Sequence, residues 1–408
     1  MKILDFLKKE CGFTENFEMP TALMARLLKD PDELFDSYIK EFKDLSFDNF
    51  TNYFQDNHSN RNDFMQDFTP PELCGLVANL SSDCCACLDM CAGTGGLSIA
   101  LWNNNRNIKL VCEELSKNAL PVLIFNLAVR NIDAIVRQKN ILTQEVLSQY
   151  IIKKGQRFAS IEKVAEEPPI YEDFDLIVSN PPYSQKWDHD VNSVDDPRFM
   201  FFGYPPKQYS DYAFVIDALH RLKKGGEMFF ILPHGVLFRG SKEKAIRKKV
   251  IQKDLLASVI GIPQNLFRNT SIPVCVLHFR KTDNVLFIDA SREFEKKAGF
   301  NVLRENDIDH IIEVFRARKT TNLYSCLSEK KDIENNDYNL NIPRYVDTYV
   351  PEELPDISTL INDYIKTEEE IREHKKSFSN LLDSLVGTNE EAEEELKKFR
   401  EGFRCTLR

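Results

Sequence analysis

The stretch Phe174-Asp-Leu-Ile-Val-Ser-Asn-Pro-Pro-Tyr183 joins a short apolar run to a stiff polar turn. Leu176, Ile177 and Val178 suit a strand buried on both faces. Pro181 and Pro182 hold φ at about −65° and carry no N–H donor. The same prolines bias Asn180 and Pro181 towards extended backbone. A strand therefore ends in a rigid bracket with one carboxamide, bare carbonyl groups and one aromatic ring. Ligands of open α/β sheets bind at the carboxyl ends of the strands, so the bracket marks a candidate site.

Working outward, the chain alternates strand and helix patterns on both sides of the bracket. Ala86 to Met90, Ile108 to Cys112 and Ala134 to Val136 read as strands, with helices after Gly96 and from Lys117 to Val129. Beyond the bracket come a helix near Tyr212 to Leu222, a strand Glu227 to Leu232 and a helix from about Lys242 to Gln252. Strands at Leu256 to Ile260, Val274 to Phe279 and Val285 to Ile288 follow. This alternation predicts a mostly parallel sheet covered on both faces. The short links between the last strands predict that one of them is antiparallel. Residues 1–65 carry helical periodicity, as in Pro31-Asp-Glu-Leu-Phe-Asp-Ser-Tyr-Ile-Lys-Glu-Phe42. Thr69 before Pro70 and Pro71, with Glu72 beyond, predicts a helix start with a capping box. The segment from Ser291 to Pro343 reads as charged and irregular. The tail from Leu360 onward reads as helices with one apolar stripe.

Three further strand ends complement the bracket. Asp89-Met-Cys91-Ala92-Gly93-Thr-Gly95-Gly96 is a strand, a glycine turn and a helix start. Glycines admit a ligand close to backbone, and a helix N-terminus favours an anion. Glu113-Glu114 ends the next strand, about 20 residues later, where nucleotide-binding sheets place a carboxylate for ribose hydroxyls. Glu114, next to the helix, is the better placed of the two. Asn140, after the third strand, is positioned for the edge of an adenine ring. These strand ends suit an adenosine with an anionic or zwitterionic tail, either a dinucleotide or S-adenosylmethionine. The bracket separates the two. Adenine N6 is a poor nucleophile because its lone pair is delocalised. Acceptors on its hydrogens, the Asn180 oxygen and the Pro181 carbonyl, would localise that pair. Tyr183 offers a face for stacking an extruded base. Methyl transfer then needs mainly orientation, with no metal.

Composition sets the remaining bounds. The 408 residues are 42% hydrophobic and 29% charged, an ordinary globular balance. No run is long enough to span a membrane, and Met1 to Glu10 is too charged for a signal peptide. Ten cysteines include Cys84-Cys85-Ala-Cys87, but no second pair or histidine set follows at zinc-site spacing. Buried thiols in a strand are the simpler reading, and unpaired cysteines point to a reducing cytoplasm. A net charge of −11 argues against unaided DNA binding. A local basic helix, Arg239 to Lys253, is the candidate phosphate contact. The loop Ser184 to Tyr209, with Lys186, Trp187 and Arg198, is long enough to close over a base.

The ordered motifs Phe68-Thr-Pro, Asp89-x-Cys-Ala-Gly-Thr-Gly, Glu114 and Asn180-Pro-Pro-Tyr183 resemble the γ-type DNA adenine-N6 methyltransferases. Leu232-Pro-His-Gly-Val-Leu-Phe-Arg-Gly240, Ile260-Gly-Ile-Pro-Gln-Asn-Leu-Phe267, Val285-Leu-Phe-Ile-Asp-Ala-Ser291 and Tyr338-Asn-Leu-Asn-Ile-Pro-Arg-Tyr345 narrow the resemblance to the methylase subunit of type I restriction–modification systems. The resemblance runs from about Gln66 to Val346. It implies an α/β fold with a mostly parallel, Rossmann-like methyltransferase sheet, one antiparallel strand, and helical regions at both ends. It divides the chain into a helical region 1–65, a catalytic domain 66–290 and a C-terminal extension 291–408.

The resemblance further implies S-adenosylmethionine as cofactor, held by Gln66, Phe68, Thr69, Pro70, Asp89, Cys91, Ala92, Gly93, Gly95, Glu114 and Asn140. Asn180, Pro181, Pro182 and Tyr183 would hold the target base. Departures from the family pattern are Met90 where Pro is common, Asn140 where Asp is frequent, and few glycines after Phe267. Implied partners are double-stranded DNA and a separate DNA-specificity subunit docked on the C-terminal helices. A second methylase copy and a restriction subunit complete the assembly the family forms. The readings to be separated from this one are a solitary methyltransferase, a methyltransferase for glutamine or another planar amine, and an assembly subunit without turnover.

Overall fold

A computed structural model describes residues 2–51, 53–54, 68–165, 173–187, 196–267, 271–348 and 356–405. The chain divides into two units, Met1–Thr348 and Tyr349–Arg408.

The first unit begins with helices α1 (Ile3–Cys11), α2 (Met19–Lys29), α3 (Asp32–Glu41) and α4 (Pro71–Leu80). The first alternating half follows: β1 (Ala86–Met90), α5 (Gly96–Asn104), β2 (Lys109–Glu114), α6 (Leu120–Val129) and β3 (Ala134–Lys139). A hairpin, β4 (Val146–Lys153) and β5 (Ser160–Val164), extends it. The second half holds β6 (Phe174–Ser179), α7 (Asp211–Arg221), β7 (Leu222–Pro233), α8 (Gly235–Phe238), α9 (Ser241–Gln252), β8 (Leu256–Gly261), β9 (Val274–Phe279) and β10 (Asn284–Asp289). A small hairpin, β11 (Glu295–Lys297) and β12 (Phe300–Val302), precedes α10 (Glu305–Ala317), β13 (Ser325–Glu329) and α11 (Lys330–Asn335).

Among the described residues the main sheet has eleven strands, in the order β13-β10-β8-β9-β7-β6-β1-β2-β3-β4-β5. Its body is parallel, with β9 running against β7 and β8. That strand, Val274–Phe279, is the one expected from the short links. Two more strands run against their neighbours at the flanks, β4 against β3 and β13 against β10. Both flank strands are only partly buried, and their sequences lack the continuous apolar run that marks a central strand. The order reverses between β1 and β6, which pair in register from Cys87–Leu176 to Met90–Ser179. That reversal is the topological switch point. It sets the glycine turn after β1 beside the bracket after β6.

The sequence of α6, Leu-Pro-Val-Leu-Ile-Phe-Asn-Leu-Ala-Val, has no polar face, and all ten residues are buried. A helix apolar all round must be covered on both sides. The sheet covers one side and the N-terminal residues the other, with Phe35, Tyr38 and Phe50 set edge-on to Phe125 at 4.8–5.4 Å. The segment after Ser291 is more regular than expected. Helix α10 buries Ile311, Ile312 and Val314 and exposes a charged face, a stripe easily lost among its acidic neighbours.

The second unit is a helical hairpin of α12 (Ile357–Ser384) and α13 (Glu390–Cys405). Phe378 and Phe403 meet edge-on at 4.9 Å, and Arg400 Nε donates to the Leu382 carbonyl at 2.9 Å. Leu382 is buried, whereas Leu360, Ile361, Tyr364, Ile365, Leu381 and Leu385 are 47–66% exposed.

Candidate active site

The bracket is fixed by hydrogen bonds at both ends. Ser179 Oγ donates to the Met90 carbonyl at 2.6 Å, tying β6 to β1. Asn180 Nδ2 donates to Thr69 Oγ1 at 2.9 Å, and Tyr183 Oη donates to Asn180 Oδ1 at 2.6 Å. The two bonds define the carboxamide orientation. Beyond the bracket, Asp211 accepts from the Ser184 N–H at 2.8 Å. Arg239 donates to Ser184 Oγ and to the Asp211 carboxylate at 2.9 and 2.7 Å.

Thr69 therefore has a different role from the one its position suggested. The helix α4 begins with Pro70 as N-cap, Pro71 at its first position and no side-chain cap. The threonine hydroxyl is committed to Asn180 instead. Tyr183 is 5% exposed and sits edge-on to Phe267 at 6.2 Å.

The glycine turn approaches other groups closely. Gly93 has φ of +57°, and a Cβ there would come within 3.3 Å of the Phe68 ring. Gly95 has φ of +94°, and a Cβ there would meet a Leu123 methyl at 2.9 Å. Neither site suits a side chain. The Gly93 N–H donates to Glu114 Oε2 at 2.7 Å, and the Ser116 N–H to Oε1 at 2.7 Å. Asp89 lies beneath the turn, fully buried. Its Oδ2 accepts from the Ser98 N–H and hydroxyl at 3.1 and 2.6 Å, while Oδ1 has no partner. Burial lifts its carboxyl to about 7 despite the Ser98 bonds.

Adjacent Glu113 has a contrasting environment. Burial alone would raise its carboxyl, but Arg221 at 2.7 Å from both oxygens, with Lys139 and Arg137 at 3.4 Å, pulls it down to about 2. Asn140 folds its Oδ1 onto the Leu142 and Thr143 N–H groups, at 3.0 and 3.3 Å. That turn leaves its NH2 group for a ligand.

These elements line one open cleft, about 970 Å³ with the adjoining solvent included. Of the expected residues, Phe68, Thr69, Cys91, Ala92, Gly93, Glu114, Asn140, Asn180 and Pro182 face it. Pro70, Asp89, Gly95, Pro181 and Tyr183 adjoin these lining residues without being among them, and Gln66 lies outside the described residues. The wall also includes Thr51, Thr94, Ile141, Leu142, Gln185 and Phe214, which sequence reasoning did not single out. Thr94 lay inside a motif read for its glycines. Ile141 and Leu142 adjoin Asn140 and offer apolar contact. Thr51 and Phe214 carry no local signal, since folding alone brings them near. The lining joins a carboxylate, a backbone turn and apolar faces, which fits a ribose and a flat ring.

The basic helix and the long loop look inward more than expected. Arg247 on α9 is 2% exposed and donates to the Val236 and Tyr338 carbonyls at 3.0 Å. Lys249 donates to the Phe201 carbonyl at 2.7 Å. Arg198 binds Asp217 at 2.9 Å and the carbonyls of Ile141 and Leu142 at 2.9 and 3.1 Å. Lys242, Lys248 and Lys253 are the exposed cations of this helix. Among the described residues no group of His, Cys, Asp and Glu is placed to hold a metal ion. No described helix is long and apolar enough to cross a membrane.

A strand-order reversal carrying a glycine turn, an acidic strand end and an Asn-Pro-Pro-Tyr bracket defines a methyltransferase-type α/β sheet. The chain belongs to the N-6 DNA methylase family, whose model matches residues 47–353. It is 31% identical over 335 residues to the type I restriction enzyme MjaVII methylase subunit of Methanocaldococcus jannaschii, covering 76% of this chain and 53% of the relative. It is 28% identical over 324 residues to the MpnII methylase subunit of Mycoplasma pneumoniae, covering 75% of this chain and 58% of that one. The chain thus spans a little over half the length of these curated relatives. Among solved structures it is similar to the type I restriction–modification methyltransferase subunit of Streptococcus thermophilus. The TM-score is 0.60 and the identity 26%, over 83% of this chain and 82% of that one.

Proposed function

We propose that this protein is an S-adenosylmethionine-dependent DNA adenine-N6 methyltransferase and serves as the modification subunit of a type I restriction–modification complex. The observation that carries the proposal is the Thr69–Asn180–Tyr183 hydrogen-bond chain, which links the cofactor side of the cleft to the bracket. Family membership and the names of the relatives support it. By role the chain would divide into a helical region 1–65, a catalytic domain 66–290 and an extension 291–408, with β13 of that extension still paired in the main sheet of the first unit.

When bound, S-adenosylmethionine would supply the electrophilic methyl group. The Glu114 carboxylate would accept ribose hydroxyls, its own orientation set by the Gly93 and Ser116 N–H groups. Phe68, Thr69, Pro70, Cys91, Ala92 and Gly93 would border the methionine end, with Asp89 and Gly95 shaping the turn. Asn140, Ile141 and Leu142 would hold the cofactor's adenine. On the target side, a carboxamide oxygen has two lone pairs. Tyr183 uses one on Asn180, so the second can accept an N6 hydrogen while the Pro181 carbonyl accepts the other. Pro182 keeps the turn stiff. Stacking of the base on Tyr183 requires its ring or Phe267 to shift, since that ring is buried edge-on here. Double-stranded DNA would be the substrate and a specificity subunit its reader, with a second methylase copy and a restriction subunit completing the assembly.

The test is methylation-sensitive sequencing of DNA from cells that express this chain with and without a specificity subunit. N6-methyladenine at one recurrent motif, only when both are present and lost with Asn180→Ala, is the expected result. Unmethylated DNA, with methyl transfer to protein glutamine instead, overturns the assignment of substrate.

A further inference from the structure

The residues before the first recognisable motif reach into the glycine turn. Asp48 is 5% exposed, and its carboxylate accepts four hydrogen bonds. Two are local, from the Phe50 N–H and the Thr51 hydroxyl, both at 2.9 Å. Two are remote, from the Thr94 hydroxyl at 2.5 Å and Asn126 Nδ2 at 2.8 Å. Thr94 stands between Gly93 and Gly95 and lines the cleft, as does Thr51. Asn126 Nδ2 also donates to the Thr94 carbonyl at 2.8 Å, so the hydroxyl and the carbonyl of this turn residue are both held. Arg130 completes the clamp. It donates to the Asn126 carbonyl and Oδ1 at 2.9 Å, and to the carbonyls of Leu45 and Phe47 at 2.8 and 2.7 Å. Asn103 of α5 donates to the Ser46 carbonyl. Phe54 then packs edge-on to Phe68, itself in contact range of Gly93, at 5.4 Å.

We propose that Asp48 is a positioning residue for the cofactor: it holds the Thr94 turn in its binding conformation and couples residues 44–54 to cofactor occupancy. The proposal rests on the cofactor assignment above. A carboxylate accepting hydroxyl and amide donors makes charge-assisted bonds, stronger than neutral ones. Buried and satisfied, it fixes the turn; removed, it leaves Thr94, Asn126 and Thr51 donors without an acceptor. Coupling is reciprocal. If the segment holds the turn ready for the cofactor, the cofactor must in return hold the segment.

The experiment uses the full chain and S-adenosylhomocysteine as probe. Asp48→Asn keeps the shape but sets an NH2 group against a donor. Its affinity should fall about tenfold by calorimetry, the order expected for one charge-assisted bond. KM for S-adenosylmethionine should rise while kcat at saturating cofactor stays within about twofold of wild type, the pattern of lost uniform binding. Combined with Thr94→Val, the losses should be non-additive, and Asp48→Glu should recover part of the affinity. In the wild-type chain, saturating S-adenosylhomocysteine should slow amide exchange across residues 44–54. That measurement needs no variant and stands even if Asp48→Asn fails to fold. Wild-type protein that binds the probe while exchange at 44–54 stays unchanged overturns this proposal alone. So does Asp48→Asn with normal affinity and lowered stability. Wild-type protein that takes up no probe overturns the cofactor assignment and this proposal with it.

Discussion

The cleft and the helical hairpin solve opposite problems. Around the cleft, buried polar groups have multiple partners: Glu114 holds two N–H groups, Glu113 meets three cations, and Asn180 is bonded through both atoms of its amide. In the hairpin, large apolar side chains stand 47–66% exposed along α12 and its end. The first arrangement is pre-organised and complete for a small ligand. The second leaves apolar surface of the kind that marks a protein interaction site. On the proposed function, chemistry and assembly would be separated along the chain, and substitutions should separate them too.

The largest effect should come from the bracket. Asn180→Ala should lower methyl transfer by on the order of 10²–10³-fold or more, as loss of a pre-organised transition-state contact does. S-adenosylhomocysteine affinity should stay close to wild type by calorimetry. Radiolabel transfer at a near-normal rate would place the acceptor for N6 elsewhere.

Next comes the pair of adjacent glutamates. Glu113→Gln should cost up to about 3–5 kcal/mol in chemical denaturation, because it leaves the buried Arg221 with only Asp217, at 3.4 Å, as its anion. The sign with pH follows from the depressed carboxyl of Glu113. Its folded value of about 2 lies below the unfolded 4.5, so its stabilisation is present above about pH 4.5 and is lost as pH falls towards 2. Wild type should lose stability across that window, and Glu113→Gln should flatten the loss. Glu114→Gln sets an NH2 group against the Gly93 or Ser116 N–H, so it should cost less, about 1–3 kcal/mol, and weaken S-adenosylhomocysteine binding about tenfold. Equal effects from the two substitutions would erase the distinction between them.

The sheet and the strand ends were legible in the sequence because they depend on local signals. Apolar runs such as Leu176-Ile-Val178 must be buried, and glycines with positive φ must turn. What was not legible depends on distance along the chain. Thr69 reads locally as a helix cap, yet its hydroxyl serves Asn180, 111 residues away. Arg247 falls in the helix read as a phosphate contact and Arg198 in the loop read as able to close over a base. Yet Arg247 is drawn inward by backbone carbonyls and Arg198 by a carbonyl and a carboxylate. Asp48 had no reading at all, since its remote partners lie 46 and 78 residues onward. Long-range polar pairing leaves no periodicity to detect.

A smaller effect should follow from Thr69→Val, which removes the acceptor that orients the Asn180 amide. An isosteric change that frees one side chain to rotate should lower kcat about tenfold, with little change in cofactor KM. Loss of cofactor affinity instead would show that Thr69 works from the Phe68 side of the cleft.

The smallest effect on the isolated chain should come from the hairpin. Leu360→Asp or Ile365→Asp alters a side chain about half exposed to solvent. Surface substitutions of this kind usually change stability by less than about 0.5 kcal/mol. Cofactor binding, reported by residues of the first unit, should be unaltered. Co-purification with a specificity subunit should nonetheless be lost, because a charge in an apolar interface is costly to desolvate. If the variants still co-purify while a change at buried Leu382 breaks the complex, the hairpin's fold rather than its exposed stripe makes the contact. If both still co-purify, the partner docks elsewhere, and the division between a self-sufficient cleft and a partner-dependent hairpin fails on its second half.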